Sequence, residues 1–113
     1  MTIPILLKTE EINTSLGIEE QFTIRKLIEF ICMEYDVTEE DLKSKNKAVP
    51  LPDARHLIFY QAYKNSYGTC DAIGKILNRD HSTVIFGKKK IIDLYDRDNK
   101  IHDIVDKMNY MFN

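Results

Sequence analysis

The sequence has few cysteines, no long apolar run and no export signal, and each absence excludes a class of protein. Its two cysteines, Cys32 and Cys70, are too few and too isolated for a disulfide framework or a paired-cysteine zinc site. No run of about 18 or more apolar residues occurs, so the sequence predicts no membrane span. The start, MTIPILLKTEE, lacks a charged first segment, a full apolar segment and a small-residue cleavage site. We therefore expect a cytoplasmic protein with no membrane partner.

Strand alternation, internal repeats and low-complexity tracts are also absent, whereas helical periodicity recurs along the chain. With 113 residues and 43% apolar content, the chain fits one domain around one modest core. These features predict an all-α fold with five or six helices. We expect the compact domain over residues 20–113, preceded by an N-terminal tail or arm over residues 1–19.

The net charge of -2 conceals an uneven distribution. Residues 43–90 hold 10 Lys/Arg against 3 Asp/Glu, whereas residues 1–42 hold 3 against 10 and residues 91–113 hold 3 against 5. A basic block of this kind supplies the non-specific part of phosphate binding. It is equally typical of a solvated face, and charge alone does not separate the two interpretations.

Apolar spacing and capping residues predict the first three helices. An amphipathic helix is expected over about residues 20–36, followed by a short helix over about residues 38–44 that Thr38 caps. The third helix is expected to begin at Pro52 and to stop near Gly68, where glycine can take the left-handed conformation. Residues 45–52, KNKAVPLP, precede it as a basic, extended connector, because proline cannot continue a helix.

Three further helices follow by the same criteria. Gly74 lies in the middle of the first and costs about 1 kcal/mol relative to Ala, which indicates close contact with another helix. The predicted helices are 70–77, capped by Thr69; 81–95, capped by Asp80; and 100–111, with Met111 on its buried side.

The stretch 69–90, TCDAIGKILNRDHSTVIFGKKK, reads as two short helices broken at Asn78-Arg79. Arg79, Asp80, His81, Ser82 and Thr83 place five hydrogen-bonding side chains at the start of the second helix. In a major groove, Asp accepts from cytosine N4, Thr offers a hydroxyl and a methyl group, and Arg binds guanine or phosphate. The alternative is that Asp80 only caps the helix and the next three residues form a solvated first turn.

The run AIGKILNRDHSTVIFGKKKI resembles the signature of the C-terminal DNA-binding domain of the bacterial replication initiator family DnaA. Upstream, VTEEDLKSK and an Arg-containing helix follow the family's order and spacing, so the resemblance covers about residues 21–112. It implies an all-helical domain with a helix-turn-helix that binds double-stranded DNA at short asymmetric boxes.

The resemblance also implies roles for individual residues. Base contacts in the major groove would come from Asp80, His81, Ser82 and Thr83, with Arg79 as the arginine that opens the motif. Lys47 falls where the family inserts an arginine into the minor groove, and Arg55 matches an arginine that reaches DNA from a helix start. Phosphate contacts are expected from Lys64 and Thr69, and the basic helix adds Lys89 and Lys90.

Three departures from the family pattern stand out. Asn78 replaces a glycine pair and shortens the turn by one residue, although Asn tolerates the left-handed conformation. Lys47 lacks the planar guanidinium that favours a narrow minor groove. Phe86 lies on the outer stripe of the second helix, where it would pack either on a thymine methyl group or against a neighbouring side chain.

No G-x-x-x-x-G-K-[ST] occurs in the sequence, so the ATPase of a full-length initiator is missing from it. Its three histidines, His56, His81 and His102, belong to no recognisable metal or acid-base motif. We expect no enzyme and no cofactor, but a free-standing, monomeric DNA-binding domain in replication initiation or its regulation, with a replication protein as a further partner. It would be either a piece of a longer protein or a small DnaA-like factor.

A protein-interaction module is the rival hypothesis. Such a module would keep the helix-turn-helix and dock a protein partner on its basic face. Steep salt dependence of binding to duplex DNA distinguishes the two, because only phosphate contacts release condensed counterions.

Overall fold

The structure is a computed structural model that describes residues 18–112. Within that range it contains no β-strand and six α-helices: α1 (Ile18–Tyr35), α2 (Glu39–Lys43), α3 (Leu51–Lys64), α4 (Cys70–Ile76), α5 (His81–Leu94) and α6 (Asn99–Phe112). The all-α prediction is confirmed. The expected tail over residues 1–19 lies outside the described residues, apart from Ile18 and Glu19, which begin α1. None of the described helices is long and apolar enough to cross a membrane.

Side-chain caps determine where the helices begin. Thr38 Oγ1 accepts the amide of Asp41 at 3.0 Å while the Asp41 carboxylate accepts the amide of Thr38 at 3.1 Å, which forms a capping box at α2. Thr69 and Asp98 cap α4 and α6, each accepting an amide from the first turn. The predicted caps Thr38 and Thr69 are confirmed. Their chemistry is local, because one side-chain oxygen satisfies an amide that has no partner within the helix.

Three helices end on a residue with left-handed backbone. Asp36, Ser66 and Asn78 follow α1, α3 and α4, with φ of 55°, 57° and 59°. The amide after each one donates to the carbonyl five residues earlier, at 2.8–3.0 Å, which is the Schellman arrangement. Asn78, which replaces the glycine pair of the family pattern, takes the left-handed conformation that asparagine tolerates.

The end predicted for α3 is wrong. The helix stops at Lys64, and the left-handed residue that follows it is Ser66. Gly68 is not left-handed, because no described glycine has a positive φ. Tyr67 completes the cap by donating its amide to Ala62. Its hydroxyl also donates to the carbonyl of Phe112 at 3.1 Å, so this turn is held against the end of α6.

One apolar core joins all six helices, with α3 at its centre. Leu57, Phe59 and Ala62 of α3 are fully buried, and α3 has its largest interface with α5. Met111, predicted to be buried, is instead 54% exposed. The buried stripe of α6 continues from Met108 to Phe112, because Phe112 follows Met108 by four residues and packs against the core.

Gly74 confirms the predicted close approach, although the neighbour is a turn and not the body of a helix. A Cβ at this position would lie 2.5 Å from the carbonyl oxygen of Arg79 and 2.9 Å from that of Asp80. Only glycine therefore lets α4 lie directly against the turn from which α5 begins. This contact helps to set the angle between the two helices.

Candidate nucleic-acid interface

The first turn of α5 is organised by one carboxylate. Asp80 is the N-cap, and its Oδ1 accepts the Thr83 amide at 3.0 Å, the Ser82 hydroxyl at 2.9 Å and the Thr83 hydroxyl at 2.9 Å. Asp80, His81 and Ser82 are exposed, and Thr83 is half-buried. The predicted cap is confirmed, and the four side chains share one exposed helix start.

These hydrogen bonds define the charge and polarity of the turn. The Thr83 amide, followed by the hydroxyls of Ser82 and Thr83, lowers the pKa of Asp80 below its ordinary value. The carboxylate is therefore ionised at neutral pH. Because both hydroxyls donate to it, their remaining lone pairs are available only as acceptors towards solvent.

Arg55 of α3 fastens the segment that follows α2. Its Nε donates to the carbonyl of Leu42 at 2.7 Å, and its Nη2 donates to those of Asp41, Ser44 and Asn46 at 3.0, 3.1 and 2.7 Å. The residue is only 4% exposed. The carbonyls at the end of a helix lack hydrogen-bond donors within the helix, and at the end of α2 the guanidinium of Arg55 supplies such donors.

Arg79 joins the same segment to the turn before α5. Its Nη1 donates to the carbonyl of Leu77 at 2.8 Å, and its Nη2 donates to that of Ser44 at 2.7 Å. The amide group of Asn78 adds a longer bond to the carbonyl of Lys43 at 3.3 Å. Two arginines therefore hold the end of α2 between α3 and the start of α5.

The basic connector was predicted over residues 45–52, but α3 begins at Leu51, so the connector ends at Pro50. It begins beside the turn that precedes α5. Lys45 and Lys47 within it are exposed.

The Nη2 atoms of Arg55 and Arg79 both donate to the carbonyl of Ser44, so the two guanidiniums lie close together. Burial, and then the nearby charge of Arg79, lowers the pKa of Arg55 below its ordinary value. Hydrogen bonds from Asn78, Arg79 and Arg55 thus hold the start of the connector close to the turn before α5.

Sequence reasoning did not find the structural role of Arg55 and Arg79. Contact of Arg55 with DNA would require it to leave the backbone carbonyls it now serves. A signal was present, because Arg55 lies between Leu51 and Ile58 on the apolar stripe of α3, at i+4 and i-3. A cation on such a stripe is buried only when partners satisfy its donors.

The remaining predicted basic residues lie in different surroundings. Lys89 and Lys90 are exposed on α5. Their neighbour Lys88 lies over the ring of Tyr63, 4.4 Å from its centroid. Lys64, at the end of α3, donates to Asn109 Oδ1 of α6 at 2.9 Å. The structure thus connects Lys64 to α6 and not to the turn at Asp80.

Thr69 combines its cap with an exposed position. Its oxygen accepts an amide of α4, and a hydroxyl that accepts in this way can still donate its own hydrogen. Among the described residues, no group of three or more His, Cys, Asp or Glu side chains is placed to hold a metal ion.

Comparison with known proteins identifies the same helices. A family model described as the bacterial dnaA protein helix-turn-helix matches residues 24–91, which include α2 to α4 and most of α5. The chain is 30% identical over 82 residues to the chromosomal replication initiator protein DnaA of Mycoplasma pneumoniae, covering 70% of this chain and 18% of that protein. It is 36% identical over 69 residues to the same-named protein of Oleidesulfovibrio alaskensis, covering 61% and 15%.

A longer match, 28% identical over 96 residues, is to the DnaA protein of Desulfotalea psychrophila and covers 85% of this chain. The chain spans 15–20% of the length of these three relatives. Since the family model covers more than half of the chain, and the matched residues include α4 and most of α5, the chain belongs to the family of bacterial DnaA C-terminal helix-turn-helix domains.

Proposed function

We propose that the chain binds double-stranded DNA in a sequence-specific manner at DnaA-box-like sites, with the start of α5 in the major groove. The observation that carries this proposal is the exposed, pre-formed turn from Asp80 to Thr83 at the start of a 14-residue helix. The opposite side of that helix is fixed on the core by Val84, Gly87 and Ile91. A rigidly seated helix with polar residues at its exposed start is the arrangement that helix-turn-helix proteins place in the major groove.

The chemistry of this turn favours particular base edges. Asp80 uses Oδ1 for its cap, so Oδ2 can accept from the N4 amino group of cytosine. The hydroxyls of Ser82 and Thr83 face the groove as acceptors, suited to the amino group of adenine or cytosine. His81 is exposed beside them as a further donor or acceptor.

The connector adds a second point of contact. Lys47 is exposed on it and is proposed to enter the minor groove next to the major groove that α5 occupies. Arg55 and Arg79, proposed above only as DNA contacts, fit better as the residues that hold the connector at a fixed distance from α5. Lysine is a point charge without a planar fork, so this contact adds affinity more than sequence preference.

Phosphate contacts would fix the register without reading sequence. We assign them to the exposed residues Thr69, Lys89 and Lys90, and more weakly to Lys64, which lies near α6. The amides at the start of α5 also favour an anion, because the helix dipole is positive there. We propose that the chain makes these contacts in replication initiation or its regulation. DNA binding of this kind requires no ATP hydrolysis by the chain itself.

Fluorescence anisotropy with two labelled duplexes tests the proposal. One duplex carries a consensus DnaA box and the other a scrambled version, each titrated at low and at moderate salt. We expect tighter binding to the box and a steep loss of affinity for both duplexes as salt rises. Equal binding to both would refute sequence specificity, and negligible binding at low salt would favour the protein-interaction module.

A further inference from the structure

Phe86 is a large apolar side chain on a basic part of the surface. It is 59% exposed, with Lys89 one turn further along α5 and Lys90 beside it. Single exposed apolar residues are common on protein surfaces and need no explanation by themselves. The surroundings of this ring, however, set it apart from a freely moving side chain.

One side of the ring rests on a partly buried neighbour. The rings of Phe86 and His56 meet edge to face, with centroids 5.6 Å apart and planes at 74°. His56 itself lies close under α5, because a Cβ at Gly87 would lie only 2.7 Å from His56 Cδ2. Its Nδ1 is buried without a hydrogen bond to any described residue. The histidine thus serves Phe86 as an aromatic support, and the other side of the Phe86 ring faces outward.

Phe86 lies on the same side of α5 as the polar side chains of the first turn of that helix. It follows Ser82 by four residues and Thr83 by three, so all three side chains share one face of the helix. Helical side chains lean towards the helix start, which directs the ring over the turn that carries the two hydroxyls. Phe86 therefore extends the same exposed face by about one turn.

An apolar ring at this place has one fitting partner among the bases. In the major groove, thymine alone presents an apolar group, its 5-methyl, whereas the other edges present donors and acceptors that phenylalanine cannot satisfy. We propose that Phe86 is a specificity-determining residue that packs on the methyl group of a thymine next to the bases read by Ser82 and Thr83. This proposal rests on the proposed function.

Replacing each thymine of the box in turn by deoxyuridine removes single methyl groups and tests the contact directly. For the unmodified protein, we expect one or two replacements to weaken binding about 3- to 5-fold, the effect of losing one buried methyl group. In Phe86→Ala, the same replacements should change affinity less than 1.5-fold or so. Phe86→Leu, which keeps an apolar side chain, should retain part of the effect.

Ile92→Ala is the matched control, because Ile92 is 57% exposed on the same helix but about two turns nearer its end. Its thymine-to-uracil penalties should equal those of the unmodified protein, and circular dichroism should show that all variants fold. Unchanged penalties in Phe86→Ala, with box preference intact, would overturn the proposal. Loss of box preference in the unmodified protein would instead overturn the proposed function.

Discussion

The cap that Asp80 forms is compatible with the base contact proposed for it. Its Oδ1 caps α5 and collects the hydroxyls of Ser82 and Thr83, which fixes how these side chains face outward. Cap and base contact need not compete, because the cap uses one carboxylate oxygen and leaves the other. The interpretation of Asp80 as a cap and its interpretation as a base-reading residue are therefore compatible.

The lowered pKa of Asp80 predicts a pH-dependent contribution to stability. Its folded-state pKa lies below the ordinary value of 3.8, so the stabilising contribution is present above that value and is lost as pH falls through the folded-state pKa. Asp80→Asn keeps a capping oxygen but does not titrate. The difference in Tm between the two proteins should be constant from about pH 7 to pH 5 and should shrink below about pH 4. A difference that stays constant down to about pH 2 would contradict this account.

Arg55 should matter for stability more than a surface arginine does. Arg55→Met keeps an apolar stem but removes the donor from the carbonyls of Leu42 and Asn46, at an expected cost of about 1–3 kcal/mol. Arg25→Met is the control, because Arg25 pairs with Glu39 at the surface, where ion pairs contribute less than about 1 kcal/mol. Urea denaturation measures both. Equal losses in the two variants would show that the carbonyl contacts of Arg55 contribute little.

At the scale of the helix, the starts were predictable and the ends were less so. Thr38, Thr69 and Asp80 signal starts because the capping side chain lies next to the helix it begins. Ends depend on which residue accepts left-handed backbone. The left-handed conformation costs a non-glycine residue about 1–2 kcal/mol. The contact of Tyr67 with the end of α6 can outweigh this cost, so that Ser66 and not Gly68 takes the left-handed conformation.

Ser66→Gly is therefore expected to stabilise the protein. Glycine adopts φ near the observed 57° without steric cost, and the gain should be about 0.5–1 kcal/mol after the entropy of the unfolded chain is included. Thermal denaturation measures the change in Tm. Gly68→Ala is the control, because a residue without positive φ does not need glycine and should tolerate Ala. If Ser66→Gly does not raise the Tm and Gly68→Ala lowers it, then Gly68 and not Ser66 would be the left-handed residue that ends α3.

For the whole molecule, the number and order of the helices follow from sequence periodicity, because apolar stripes must be buried against each other. The family resemblance of residues 69–90 also followed from sequence, since its polar residues occur at a specific spacing. The sequence did not predict the hydrogen bonds by which Arg55 and Arg79 hold the connector in place. Arg55 and Arg79 are distant in sequence from the carbonyls of Asn46 and Ser44, and these contacts exist only after α2, α3 and α5 pack.

The central claim is that the start of α5 reads base pairs while the lysines further along it contact phosphate. Its most direct measurement is the ratio of the Kd for a scrambled duplex to that for a box duplex, in the unmodified protein, Thr83→Ala and Lys89→Ala. Thr83→Ala should lower this ratio about 5- to 100-fold. Lys89→Ala should weaken both duplexes alike, preserve the ratio and reduce the salt slope by about one. A ratio that Thr83→Ala leaves unchanged, in a folded protein that prefers the box, would contradict the account.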